Sequence, residues 1–360
     1  MCTRVIYTPA PNQSYIGRNM DWGEPPATQL WAVPAGVTRK AMAKSPRQEE
    51  YSWVSQFPSV VVSNYDVATS DGLNSEGLTA NLLWLARSEF PRPATQGDKY
   101  PMSMSIWAQF LLDTCATVAD TLMAMRDIYI QTAVIPGTGR EANCHLSVGD
   151  REGNSAVFEY VNGQMHTYSN VEVDDAPGRF FHYTKDEMRV MTNDPEFNRQ
   201  LESLAYWDEL NAVYQGGCQG VPALLPGSNL ALNRFVRATY YTNQLTNQSD
   251  STKNLAQLAA VMDNAAQPGV LGDQGSADLS RTQYSSFADA ATGQYFYRSG
   301  YSPFLIWINL EKVPFDELEA GKVFHLELDE DGNYKGMKNF GHGNVTKHLE
   351  QDDMFPFLPA

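Results

Sequence analysis

The order in which two hydrophobic periods succeed one another constrains this chain most. A period of two, the mark of strands, runs from CTRVIYT at Cys2 through YSWVSQF and SVVVSNYD to NLLWL at Leu85. It gives way to a helical period in PMSMSIWAQFLLDTCATVADTLMAMRDI, read as a helix pair, with Thr117 and Asp120 spaced like a capping box at the start of the second helix. Strands return at CHLSVGD, SAVFEYVNG, QMHTYSN and MRVMTN. Helices follow at EFNRQLESLAYWDELNA, SNLALNRFVRATYYTNQL and TKNLAQLAAVMDNAAQ, and the remainder is strand-rich, with hairpin turns at DAATGQ and DEDGN. Strand and helix never alternate one for one, so a doubly wound parallel sheet is disfavoured and an α+β fold is expected. No repeat, low-complexity linker or break in composition divides the chain, which reads as a single domain over residues 1–360.

Bulk chemistry removes several classes of function. With 42% hydrophobic residues the chain can bury a sizeable core, and its formal net charge of −16 opposes binding to nucleic acid or anionic lipid. No window approaches the ~18 consecutive apolar residues of a membrane span, and the N-terminus has neither a basic start nor an apolar h-region. A cytoplasmic protein is expected, or a periplasmic one if an export signal preceded this sequence. The four cysteines, Cys2, Cys115, Cys144 and Cys218, form no C-x-x-C, and the six histidines form no H-E-x-x-H. Cys144 and His145 would face opposite ways on a strand. Neither a metal nor another cofactor is expected. Four catalytic signatures are also missing: G-x-S-x-G, the G-x-x-x-x-G-K-[ST] phosphate loop, S-x-x-K and G-x-G-x-x-G.

What remains is the N-terminus. Removal of Met1 would leave Cys2 with a thiol and an α-amino group on one carbon, groups that ordinarily titrate near ~8.5 and ~7.7–8.0. The amine is then placed to take the thiol proton and return it to a leaving group. Residues 2–8 and 15–22 flank PAPNQ and read as a β-hairpin turning near Pro11 and Asn12, which sets Cys2 opposite Asp21. Strand alternation puts Arg18 and Asp21 on opposite faces, so a bulge is expected between them if both serve one site. The turn at Asn74-Ser75-Glu76-Gly77 joins two further strands.

Five blocks in order, Cys2, GRNMDW (17–22), DGLNSEGL (71–78), VMTNDPEF (190–197) and LNRFVRA (232–238), resemble the choloylglycine hydrolase family of N-terminal-nucleophile (Ntn) hydrolases. The resemblance runs from Cys2 to about Trp307. Trp22 and Trp84 make it more similar to the penicillin V acylases of Gram-negative bacteria than to bile salt hydrolases. The resemblance implies a four-layer αββα fold with two stacked, mainly antiparallel sheets, a homotetramer, and amide hydrolysis through an acyl-thioester.

Carried over residue by residue, the resemblance makes Cys2 the nucleophile and gives Arg18 the task of holding positive charge near the sulfur. It has Asp21 accept from the Cys2 amine, and Asn193 donate to the oxyanion. Asn81 supplies a second oxyanion donor through its backbone N–H, and Arg234 completes the polar site, with Arg237 expected to face solvent. Trp22 and Trp84 suit an acyl pocket. Cys115, Cys144 and Cys218 match no motif and are expected to be inert thiols. The segment VEVDDAPGRFFHYTKDEM, from Val171 to Met188, is longer and more polar than the family pattern, which points to a changed pocket mouth or an oligomer contact. The implied substrate is a small N-acyl amide such as penicillin V. An N-acyl homoserine lactone, hence a quorum-quenching role, is the alternative, and conjugated bile salts or an inactive scaffold of the same fold are further ones.

Overall fold

The structure is a computed structural model that describes residues 2–43, 50–213, 224–268, 280–336 and 342–360, so that Cys218 lies outside the described residues. The opening hairpin forms from Cys2–Ala10 and Gln13–Trp22, with Asn12 taking the positive φ of 59° that the two-residue turn requires. Its register differs from expectation by one residue. Ala10 faces Gln13, but an irregularity between Tyr7 and Ala10 inserts one extra residue into the first strand. From there Tyr7 pairs with Tyr15, and Cys2 lies opposite Met20 and not opposite Asp21.

This hairpin lies in a seven-stranded sheet ordered Val190–Met191, Cys2–Ala10, Gln13–Trp22, Arg281–Asp289, Gln294–Ser299, Ile306–Asn309, Gly343–Asn344 among the described residues. A sheet of ten strands among the described residues stacks on it, and four of its central strands, Cys144–Gly149, Thr79–Trp84, Ala68–Asn74 and Ser59–Asn64, are neighbours in that order. Pairing is antiparallel in both sheets except at one edge pair in each. Helices α1 (Met104–Thr114) and α2 (Val118–Ala124) cover the outer face of the larger sheet, and α2 starts at the expected Thr117–Asp120 capping box. Helix α3 (Phe197–Val213) precedes α4 (Ala231–Asn243) and α5 (Ser251–Ala265), and the last two cover the outer face of the smaller sheet. Helix, sheet, sheet, helix is the expected α+β layering.

Three details position the site. The strand pair Ala68–Asn74 and Thr79–Trp84 is joined at Asp71–Asn81, Gly72–Ala80 and Leu73–Thr79, and no further. Beyond Asn81 the second strand stays on Cys144–Gly149 as far as Trp84, while the first stays on Ser59–Asn64, so the sheet forks. The short strand Val190–Met191 pairs with the first strand through Arg4–Met191 and Val5–Val190, a register that carries Asn193 to Cys2. The bulge expected between Arg18 and Asp21 sits instead on the neighbouring strand, where Gln283 is the extra residue between Thr282 and Tyr284. The hinted hairpin at DEDGN is reduced to a single bridge between Leu328 and Tyr334. Segment 171–188 adds the edge strand Arg179–His182 to the larger sheet, where Phe181 stacks on Tyr168 at 5.0 Å. No helix among the described residues is long and apolar enough to cross a membrane.

Candidate active site

Cys2 is 2% exposed and its surroundings divide by strand geometry. Its side chain turns to the space between the sheets, where Sγ lies 3.7 Å from Met20 Sδ and 3.8 Å from Arg18 Nη2. Arg18 and Met20 are two residues apart on the second strand and therefore share that face. The main chain of Cys2 is held from elsewhere: its nitrogen donates to Asn193 Oδ1, and its carbonyl accepts from Arg234 Nη1 at 2.5 Å.

Arg18 is 1% exposed and held through both of its terminal nitrogens. Nη1 donates to the Tyr284 hydroxyl and lies 3.6 Å from Asp71 Oδ2, and Nη2 donates to the Leu82 carbonyl at 2.9 Å, just past the fork. Burial works against its charge, but Tyr284, Cys2 and Asp71 around it outweigh burial and hold the guanidinium above its usual range. Asp71 joins this arginine to Asn81: Oδ1 accepts from Asn81 Nδ2 at 2.8 Å and Oδ2 from Ser286 Oγ at 2.5 Å. Burial pushes the Asp71 carboxyl up, and Arg18 with these hydrogen bonds pulls it back part of the way. The Asn81 side chain is thereby anchored to Asp71 at the last paired position before the fork.

On the opposite face of the second strand, Asp21 Oδ1 accepts from Thr282 Oγ1 at 2.6 Å and Oδ2 from Gln267 Nε2 at 2.9 Å. Arg234, from the first turn of α4, reaches Asp21 Oδ2 at 3.5 Å, Asn193 Oδ1 at 2.8 Å and the Thr3 hydroxyl. Burial lowers the Arg234 guanidinium and Asp21 partly restores it. Asn193 Oδ1 therefore collects two donors, while Nδ2 gives one hydrogen to the Trp84 carbonyl at 2.6 Å. Those partners fix which end of the amide is oxygen.

An apolar pocket opens on the Cys2 sulfur through the fork. Trp22, Leu82, Trp84, Met104, Ile135 and Leu358 line it with Cys2, Arg18 and Met20. Trp22 and Trp84 come from different sheets and meet at 5.1 Å between centroids, tilted by 58°. Trp22 Nε1 donates to the Tyr65 hydroxyl at 2.7 Å, which fixes one wall.

A model of linear amide C–N hydrolases, choloylglycine hydrolase family, matches residues 2–322. This chain belongs to the choloylglycine hydrolase family. A penicillin V acylase of Pectobacterium atrosepticum is 32% identical over 99% of this chain and 92% of its own length. The solved structure of penicillin V acylase from Agrobacterium tumefaciens superposes with a TM-score of 0.81 at 30% identity, covering 100% of both chains. A mutant conjugated bile acid hydrolase from Clostridium perfringens, at 17% identity over 92% of this chain and 98% of its own, shares the fold with a TM-score of 0.72. This choloylglycine hydrolase family member is accordingly a hydrolase of linear amides, with Cys2 in the position that an Ntn mechanism needs.

Within this family member the structure brings all eight expected residues to one neighbourhood, six around the Cys2 backbone, sulfur and Asp71, and two at the pocket. It corrects the expectation for Arg237. Arg237 is 8% exposed and does not face solvent: Nη1 donates to the carbonyls of Pro226 and Ser228, and Nε to Asn264 Oδ1. Segment 171–188 contributes no residue to the pocket lining. Cys144, by contrast, does line the pocket, and burial pushes its thiol up to about 12, with the neighbouring Cys2 adding to the rise. Burial likewise pushes Cys115 up to about 12. The sequence reading missed Met20, Tyr65, Asp71 and Leu358; of these Met20 and Asp71 lay inside two of the five family blocks.

Proposed function

We propose that this hydrolase cleaves the side-chain amide of penicillin V or a related N-acyl amide, with Cys2 as nucleophile once Met1 has been removed. The observation that carries the reading is the placement of one sulfur at the end of an apolar, tryptophan-walled pocket beside a buried guanidinium. The α-amino group takes the Sγ proton, and Arg18 offers positive charge to the thiolate. Sulfur adds to the amide carbonyl, and the oxyanion meets the second Asn193 hydrogen and the Asn81 N–H. Collapse expels the amine, which leaves with the proton returned by the α-ammonium. Water then attacks the thioester and gives a proton to the α-amino group; collapse breaks the C–S bond, the sulfur takes that proton back as a thiol, and the free acid is released. Asn193, Arg234 and Asp21 hold the Cys2 backbone while its substituents change.

A second reading is favoured by the aliphatic residues beyond the tryptophans: Met104, Ile135 and Leu358 suit the long acyl chain of an N-acyl homoserine lactone, which carries the same secondary amide. Amine release from penicillin V, from lactones of several chain lengths and from a conjugated bile salt ranks these substrates, and acid quenching followed by peptide mass analysis looks for an acyl group on Cys2. Turnover by Cys2→Ala at the wild-type rate would overturn the mechanism. The homotetramer belongs to the same proposal. It is supported by α3, where Tyr206 is 58% exposed and only Phe197 and Gln200 are buried, and sedimentation measures it.

A further inference from the structure

The chemistry proposed above leaves unused a pair of ionisable side chains in the core. His145 and Glu159 are both 0% exposed, with Nδ1 of the imidazole 2.8 Å from Glu159 Oε1. They stand on adjacent strands of the larger sheet, on the face turned toward the smaller one, and His145 points away from the pocket that its neighbour Cys144 lines. Both reach the segment that carries Asn193. His145 Nε2 lies 3.0 Å from the Thr192 carbonyl, and Glu159 accepts the N–H of Phe197, the first residue of α3, at 3.1 Å. The pair therefore grips the chain one residue before Asn193 and four residues after it. Between those points Gln200 accepts from the Thr192 N–H at 3.0 Å and donates to the carbonyls of Asn193 at 2.6 Å and Pro195 at 2.8 Å.

We infer that His145 and Glu159 are positioning residues that set the aim of the Asn193 amide, an inference that rests on the reading of Asn193 as an oxyanion donor. An apolar pair would fill the same volume at lower desolvation cost, but it would make no directional bond to either end of the segment. The direction of the bonds can be read from the partners. A carbonyl only accepts, so Nε2 carries hydrogen; Nδ1 facing Oε1 at 2.8 Å then needs a proton between them, on either atom. Glutamine at 159 reproduces this pattern without a charge. Its amide nitrogen donates to Nδ1, its oxygen accepts from Phe197, and the imidazole keeps its hydrogen for Thr192.

The test compares His145→Ala, Glu159→Ala, Glu159→Gln and Asn193→Ala in the purified enzyme, by kcat and KM with penicillin V and by the rate at which a small alkylating reagent modifies Cys2. The expected result is a kcat lower by about tenfold or more in the two alanine variants at 145 and 159, with KM little changed, because an aimed oxyanion donor acts in the transition state. Alkylation of Cys2, whose nitrogen Asn193 Oδ1 also holds, falls far less than kcat, Glu159→Gln recovers most of the lost kcat, and His145→Ala adds nothing to Asn193→Ala, since both act through one group. Wild-type kcat in His145→Ala beside an impaired Asn193→Ala overturns this inference alone. An unimpaired Asn193→Ala removes the oxyanion reading and this inference with it. Glu159→Gln as slow as Glu159→Ala, or alkylation falling in step with kcat, assigns the pair a general structural role and also overturns the inference.

Discussion

Asn193 Nδ2 lies 2.6 Å from the main-chain oxygen of Trp84, so the residue proposed to meet the oxyanion is tied to the residue that walls the acyl pocket. The same amide receives the Cys2 nitrogen on its oxygen. One planar group thereby relates nucleophile, oxyanion and pocket, and it does so without a rotatable bond between its two ends.

Asn193→Ala is expected to lower kcat by ~10²–10³-fold, the usual effect of losing one oxyanion donor, while KM moves little. Steady-state kinetics with penicillin V decides. A change in KM alone would make Asn193 a substrate-positioning residue.

Trp84→Ala is expected to reduce kcat/KM for aryloxyacetyl and long-chain acyl substrates by about 1–3 kcal/mol and to spare short acetyl amides. Its ring meets Trp22 at 5.1 Å and lines the pocket, so contact with the acyl group is lost directly. Equal loss for every substrate, together with a Tm drop reflecting the ~3–5 kcal/mol typical of truncating a buried tryptophan, would make Trp84 a packing residue only.

Cys2 is expected to be the first of the described cysteines to react with an alkylating reagent near pH ~8, because burial keeps Cys115 and Cys144 protonated there. Peptide mapping reads the order, and intact mass shows whether active protein lacks Met1. Cys2→Ala is expected to abolish turnover and Cys115→Ala to leave it nearly intact. Retention of Met1 on fully active enzyme would exclude the amine as base, since an amide nitrogen cannot accept the proton.

The Cys115 and Cys144 thiols also set a sign for alkaline stability. Burial holds each at about 12 in the folded chain, above the ordinary thiol value of 9.0, so folding favours the protonated thiol. Their contribution is complete below about pH 9 and is lost as the pH rises from there through 12. Replacing Cys115 by Ala should flatten the fall of chemical-denaturation stability across the accessible part of that range. An unchanged slope would mean that the thiol does not couple to unfolding.

The hairpin, the capping box and the strand, helix, strand succession were legible because each rests on local periodicity or turn chemistry. The hairpin register was not, because the extra residue between Tyr7 and Ala10 carries no composition signal and shifts the partner of Cys2 by one. Arg18 and Asp21 were rightly placed on opposite faces. What alternation alone could not show is that Cys2, at the end of its strand, is approached through its sulfur on one face and through its main chain from the other. Arg237 was misread because its partners, the carbonyls of Pro226 and Ser228, belong to a loop whose path depends on tertiary packing. His145 and Glu159 are 14 residues apart in sequence and become neighbours only by the pairing of two strands, a relation no local pattern encodes.

The fork past Asp71–Asn81 makes the acyl slot a matter of how far two strands stay zipped. Ladder pairing advances on a given face in steps of two residues, roughly 6.6 Å. Closing one more step would fill the slot from its inner end, and opening one would lengthen it by the same stride. Chain length in the substrate could then be selected in coarse increments by strand pairing, and in fine ones by the side chains at Trp22 and Trp84, two adjustments that a pocket carved only from side chains does not separate.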